Sequence, residues 1–363
     1  MKIKSIETFD SGYVCIVRVK TDDGQEGIGQ IAPYHSNISA LVLHQQISRH
    51  ALGKDADLIE ELGELIIRAE HKYPGSYVCR ALGGLDTALW DLKGKRLNKS
   101  VCELLGGDRR PIDVYGSSMK RDISPEDEAD RLKRLQDKHG YNAFKFRIGK
   151  SFGNDVDVFN GRTEQIIPAV RKALGDNTLL YADANSGFTP ARAIEVGRLL
   201  EQHGIVHYEE PCPYPWLEWT KQVADALDVA VAGGEQDTDL AQFQRMISMR
   251  AVDVVQPDIC YIGGLSRALE VARMAEEAGM ACTPHAANLS MVTVFTMHMV
   301  AAIPNAGPFM EFCVESIPWA EELFTSSFEV RDGKVMIPDG PGWGVTVRPE
   351  WLEKAHYRIS QLQ

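Results

Sequence analysis

The chain has 363 residues, is 44% hydrophobic and carries a net charge of −12; at about 150 residues per domain it forms two domains or one barrel with additions. An acidic surface of this kind excludes a nucleic-acid partner, which needs a basic footprint. No run approaches the ~18 apolar residues that span a bilayer, and the start MKIKSIETFD lacks the apolar stretch of a signal peptide, so a soluble cytoplasmic protein without a membrane partner is expected.

Residues 1–112 open with two alternating runs, GYVCIVRVKT and EGIGQIA, around the turn DDGQ, the pattern of a hairpin. Helical stretches follow. In YVCRALGGLDTALWDLKGKRL the apolar residues Ala81, Leu82, Leu85, Ala88, Leu89 and Leu92 share one helix face. This is an α+β domain, with Tyr34 and His35 in its early loop.

From residue 113 short apolar runs alternate with helical stretches, the pattern of βα units on a parallel sheet. Strands are expected at IDVYGS, AFKFRI, TLLYAD, VHYEE, AVAGGE, VDVVQPD, ACTPH and PFMEF, with seven helices between them. Eight strands suggest a closed barrel over 113–326. The segment 327–363 contains FEVRDGKVMIPDGPGWG, a hairpin expected to return to the first domain. The seven cysteines are odd in number and lack CxxC spacing, which reads as reduced thiols rather than a disulfide framework or zinc cage.

At the carboxyl ends of successive strands stand Lys145 and Arg147, Asp183, Glu209, Glu235, Asp258, His285 and Glu311, the last six at intervals of 23 to 27 residues. Such residues converge on one mouth of a barrel. Lys145 and Arg147 alternate with Phe144, Phe146 and Ile148, so both cations share a face and require an anion there. Asp183, Glu209 and Glu235 lie on three adjacent strands. Any one of them alone is as readily an ion-pair partner or a helix cap. Together they repel unless a cation compensates, and an all-oxygen set favours Mg²⁺. Asp258 beside His285 would fix the imidazole tautomer and leave the other nitrogen free for general acid/base work. His207, two residues deeper than Glu209, reads as a packed, hydrogen-bonded barrel residue.

With these motifs in order, KFR, DAN, EEP, GGE, PDICYIGG, PH and ME, and with GIGQ and ALWDLKGK before them, the chain resembles the enolase superfamily over its whole length. Within it the chain is similar to the mandelate racemase branch. The resemblance implies a (β/α)7β barrel with an α+β capping domain built from the N-terminal region and the C-terminal tail, and a homo-oligomer. It implies Mg²⁺ on Asp183, Glu209 and Glu235 with Glu210 outside the shell, an Asp258–His285 dyad, and Glu311 as an acid that hydrogen-bonds an enolate. Muconate-lactonising relatives carry lysine at the position of Asp258, which disfavours that branch.

The anion facing Lys145 and Arg147 is then a substrate carboxylate and the enediolate formed from it. Arg147 departs from relatives that have a second lysine base there; arginine stays protonated and is a poor base. The expected reaction is therefore dehydration of an acid sugar to a 2-keto-3-deoxy acid, with His285 as base. A racemase or epimerase using Lys145, a Schiff-base aldolase and a non-catalytic binding protein are the rivals. Tyr34 and His35 would close over the mouth, or form an ordinary surface turn. Asn185 would bind a substrate hydroxyl or orient a metal ligand.

Overall fold

The computed structural model describes residues 1–362. A four-stranded antiparallel sheet of order β13-β1-β2-β3 forms the cap, from β1 (Ile3–Asp10), β2 (Cys15–Thr21), β3 (Glu26–Ile31) and the last strand of the chain, β13 (His356–Gln361). β1 was not anticipated. It is buried on both faces for most of its length, so its sequence does not alternate.

The long helix Gly75–Leu97 lies across this sheet. Its expected apolar face is buried, but so are Asp86, Thr87 and Asp91, because the helix is enclosed between the cap sheet and the barrel. Close approach depends on missing side chains: a Cβ on Gly29 would overlap the backbone nitrogen of Ala88.

The barrel strands are β4 (Pro111–Ser117), β5 (Ala143–Arg147), β6 (Leu179–Asp183), β7 (His207–Glu209), β8 (Ala230–Gly233), β9 (Val254–Val255), β10 (Ala281–Cys282) and β11 (Met310–Cys313). They are parallel, in the order β10-β9-β8-β7-β6-β5-β4-β11. The ring closes between Cys282 and Ala306, just ahead of β11. Each expected helix is present. Pro125–His139, for example, starts on the Ser124 side chain, has proline in its first turn and stops at Gly140 with φ 71°.

The tail departs from expectation. β12 (Lys334–Met336) pairs antiparallel with β4 of the barrel, Val335 opposite Ile112, and does not join the cap. What returns to the cap is Trp343, whose indole donates to Thr87 O (2.9 Å), and then β13, antiparallel to β1. No helix among the described residues is long and apolar enough to cross a membrane. All seven cysteines are buried and unpaired.

Candidate active site

Asp183, Glu209 and Glu235 end or directly follow three neighbouring strands, and one carboxylate oxygen from each lies within 4.8 Å of the others. All three are buried. Glu235 Oε2 has no hydrogen-bond partner. A buried, unpartnered carboxylate oxygen facing two more carboxylates is costly unless a cation is shared among them. The residues present therefore fit a hard divalent ion.

Lys145 and Arg147 meet the protein's own carboxylates. Lys145 Nζ is fully buried, 2.6 Å from Glu209, 2.8 Å from Glu311 and 3.5 Å from Asp183. Burial alone would lower its pKa, but Glu209 and Glu311 outweigh burial and hold it above the usual lysine range. Arg147 pairs with Asp183, donates to Asn185 Oδ1 (2.8 Å) and gives its Nε–H to Ser118 O (3.0 Å). Asp183, Glu209, Glu235 and Glu311 against these two cations leave two negative charges, which one divalent cation would cancel.

His285 Nδ1 is 2.8 Å from Asp258 Oδ2, and its Nε2 points towards Glu235 Oε2 at 3.5 Å. Burial opposes protonation of the ring, yet Glu235, Glu311 and Asp258 push it up to about 10. Asp258 also caps the helix Ile259–Ile262, its Oδ1 accepting from the N–H groups of Cys260 (2.8 Å) and Tyr261 (3.1 Å). The dyad is thereby held from both ends of one carboxylate.

Glu311 accepts from Ser117 Oγ (2.7 Å) and the Ala286 N–H (2.8 Å) besides Lys145. Burial raises its pKa, but Lys145 and His285 bring it down to about 2, so it stands here as a carboxylate. Asn185, with φ 40°, receives Arg147 and Arg121 on Oδ1 and gives its backbone N–H to Asp183 Oδ1 (2.7 Å). Its amide is thus engaged in orienting Asp183. His207 packs on Tyr181, centroids 4.6 Å apart, but its Nε2 lies 3.6 Å from Glu209 and forms no hydrogen bond. That corrects the hydrogen-bonded role expected of it.

Tyr34 and His35 both have left-handed backbone, φ 63° and 50°. Tyr34 is half exposed, its ring edge-on to Trp319 at 6.5 Å. Burial of part of the phenol raises its pKa, and the charges of Cys313 and Asp258 add to that rise. His35 is exposed ahead of the helix Ser36–Val42 and makes no capping hydrogen bond.

Several residues at the site were not singled out from the sequence. Gln256 donates to Glu209 Oε2 (2.8 Å) and lies two positions before Asp258 in the run VDVVQPD, a period-2 signal that was available. Arg121, which burial and Arg147 lower to about 9, donates to Asn185 (2.8 Å) and Gly149 O (3.1 Å). Glu210, which the family resemblance sets outside the metal shell, has φ 41° and is buried beside the cluster, where burial together with Glu235 and Glu209 raises its pKa well above the usual range. From the cap, fully buried Gln30 donates to Ser290 Oγ (2.9 Å) and accepts from the Met291 N–H (3.1 Å), tying the cap to the loop that carries His285.

A capped (β/α)7β barrel with a carboxylate triad and an Asp–His dyad at its mouth defines a class of enzymes that remove protons beside carboxylates. Residues 2–106 match the mandelate racemase / muconate lactonizing enzyme N-terminal domain, and residues 127–351 match the enolase C-terminal domain-like family. The chain belongs to the enolase superfamily, in its mandelate racemase branch. It is 30% identical to an arabinonate dehydratase from Saccharolobus solfataricus, over 94% of this chain and 90% of that protein. A crystal structure of a protein proposed to be a racemase, from Roseobacter denitrificans, is 53% identical and superposes with a TM-score of 0.98 over 100% of both chains. L-Talarate dehydratase from Polaromonas sp. JS666, solved with Mg and L-glucarate, is 26% identical with a TM-score of 0.86, covering 100% of this chain and 99% of that one.

Proposed function

We propose that the protein is a Mg²⁺-dependent hydro-lyase that dehydrates an acid sugar, an aldonate or aldarate, to a 2-keto-3-deoxy acid. The observation that carries this reading is the juxtaposition of the buried Asp183–Glu209–Glu235 triad with His285 Nε2, 3.5 Å from Glu235. Asp183, Glu209 and Glu235 would hold the ion. When bound, a divalent cation stabilises the second negative charge that enolisation places on a carboxylate.

With the charge of Glu235 compensated by the ion it would hold, the largest influence raising the His285 pKa is removed. The neutral ring then removes the proton α to the carboxylate through Nε2 while Asp258 retains Nδ1–H, so it presents one basic nitrogen to the substrate. Lys145 and Arg147 supply fixed positive charge beside the substrate carboxylate, and Glu311 holds Lys145 in place. The electron pair left at Cα forms the Cα–Cβ double bond as the Cβ–O bond breaks. Protonated His285 returns its proton to the departing hydroxide, and water leaves. The resulting enol tautomerises to the keto acid.

A Schiff-base aldolase needs a lysine whose nitrogen is free and neutral, whereas Lys145 is engaged by two carboxylates. Racemisation needs a second base on the opposite face, and Arg147 is a poor one. The seven buried, unpaired cysteines fit a reducing cytoplasm, and assembly as a homo-oligomer is inferred from the family resemblance.

The test is a panel of mono- and diacid sugars incubated with protein and Mg²⁺ in D₂O, read for 2-keto acid and for deuterium at Cα. Keto acid from at least one sugar is expected. Deuterium in recovered substrate without keto acid would replace dehydration by epimerisation.

A further inference from the structure

A second cationic group stacks on Tyr261, the aromatic neighbour of the Asp258–His285 dyad. Arg80, on the cap helix Gly75–Leu97, is half buried, and its guanidinium carbon lies 3.6 Å from the centroid of the Tyr261 ring. Tyr261 belongs to the short helix after β9, three residues beyond Asp258, and its ring centroid is 6.4 Å from that of His285. The placement is enforced by packing. Gly83, one turn further along the cap helix, lies against Cys260 so closely that a Cβ there would be 3.0 Å from the Cys260 carbonyl oxygen. The carbonyl of Arg80 accepts from the Ala32 N–H (3.2 Å), which ties it to the loop bearing Tyr34.

Stacking on an aromatic ring uses the face of a guanidinium and leaves its in-plane N–H donors unspent. No carboxylate of the described residues forms an ion pair with Arg80, whereas Arg267 on the same side of the barrel pairs with Glu64 at 3.6 Å. A half-buried guanidinium stacked on an aromatic ring and paired with no carboxylate is open to an anion approaching its edge. In the sheet order, β5 with Lys145 and Arg147 lies four strands from β9, directly across an eight-stranded ring. His285, three residues past β10, the strand next to β9, stands beside the line between them.

We propose that Arg80, stacked on Tyr261, binds the distal carboxylate of the substrate, so that the enzyme acts on dicarboxylic acid sugars in preference to monocarboxylic ones. This rests on the reading of the mouth as an acid-sugar site. One carboxylate lies beside Lys145, Arg147 and the metal-binding carboxylates, the other meets Arg80, and the carbon next to the first faces His285.

Calorimetric titration of the Mg²⁺-loaded protein with the matched pairs galactarate and galactonate, and glucarate and gluconate, tests this without relying on turnover. At least one diacid should bind about 10- to 100-fold more tightly than its monoacid, the span expected of a charge-assisted hydrogen-bonded pair. Arg80→Gln should collapse that ratio towards one, and Arg80→Lys should restore part of it, which a merely structural role for Arg80 would not do. Equal affinities within both pairs, no measurable binding of either diacid, or a preference that survives in Arg80→Gln would each overturn the proposal. A diacid bound with the expected preference but never converted to keto acid would support the subsite and refute dehydration, so the two readings fail separately.

Discussion

Asp258 performs two tasks with one carboxylate, and substitution can separate them. Oδ1 caps the helix Ile259–Ile262, while Oδ2 holds His285 Nδ1 at 2.8 Å. In Asp258→Asn the amide oxygen keeps the cap, because turning the NH₂ group towards the Cys260 and Tyr261 N–H groups would set donor against donor. The NH₂ group then faces Nδ1, which must accept, so the ring proton moves to Nε2 and the base is lost. General-base catalysis is worth about 10²–10⁴ in rate, or roughly 3–5 kcal/mol, and that is the expected loss in Cα proton exchange with D₂O. Unfolding in urea should change by less than about 0.5 kcal/mol for Asp258→Asn, whereas Asp258→Ala, which also loses the cap, should cost about 1–2 kcal/mol. Wild-type exchange in Asp258→Asn, or an unfolding midpoint as low as that of Asp258→Ala, would refute the assignment of separate tasks to the two oxygens.

Mg²⁺ at about 100 times its dissociation constant should stabilise the protein by about 2.7 kcal/mol in calorimetric melting, and Glu235→Gln should remove most of that gain. His298 is buried, accepts from the Cys102 N–H at Nδ1 (3.1 Å) and faces Trp343 O with Nε2, and burial lowers its pKa from 6.5 to about 4. The unfolded chain therefore takes up this proton first as the pH falls. The contribution is fully present above pH 6.5 and is lost down to about pH 4, up to about 3 kcal/mol, so the pH dependence of urea unfolding should flatten over that window in a His298 variant. Gly29→Ala should cost about 1–3 kcal/mol in the same assay, because its methyl group meets the backbone of the cap helix rather than a movable side chain.

The barrel was legible in the sequence because each βα unit restates its boundaries. Thr189 and Pro190 open one helix as Ser124 and Pro125 open another, and both sequence spans agree with the structure to within a residue. The short strands were found in position but not in length: VDVVQPD leaves two residues in β9 and ACTPH two in β10, each followed two positions on by a proline, Pro257 or Pro284, with no N–H to extend the ladder. β12 was misassigned because alternation reveals that a segment is extended but not which edge it joins. At the site, the carboxylates and the dyad stood out by their recurrence at strand ends. The partners of Lys145 did not, because Glu311 and Glu209 reach it from opposite sides of the ring, a relation that linear order conceals.

The central claim is that His285 takes the proton from Cα. Protein carrying His285→Asn and loaded with Mg²⁺, mixed in D₂O with a sugar that the wild type converts, should form neither keto acid nor Cα-deuterated substrate, while still binding that sugar in calorimetry. Keto acid formed at the wild-type rate, or deuterium at Cα with dehydration abolished, would contradict it and place the base elsewhere in the mouth.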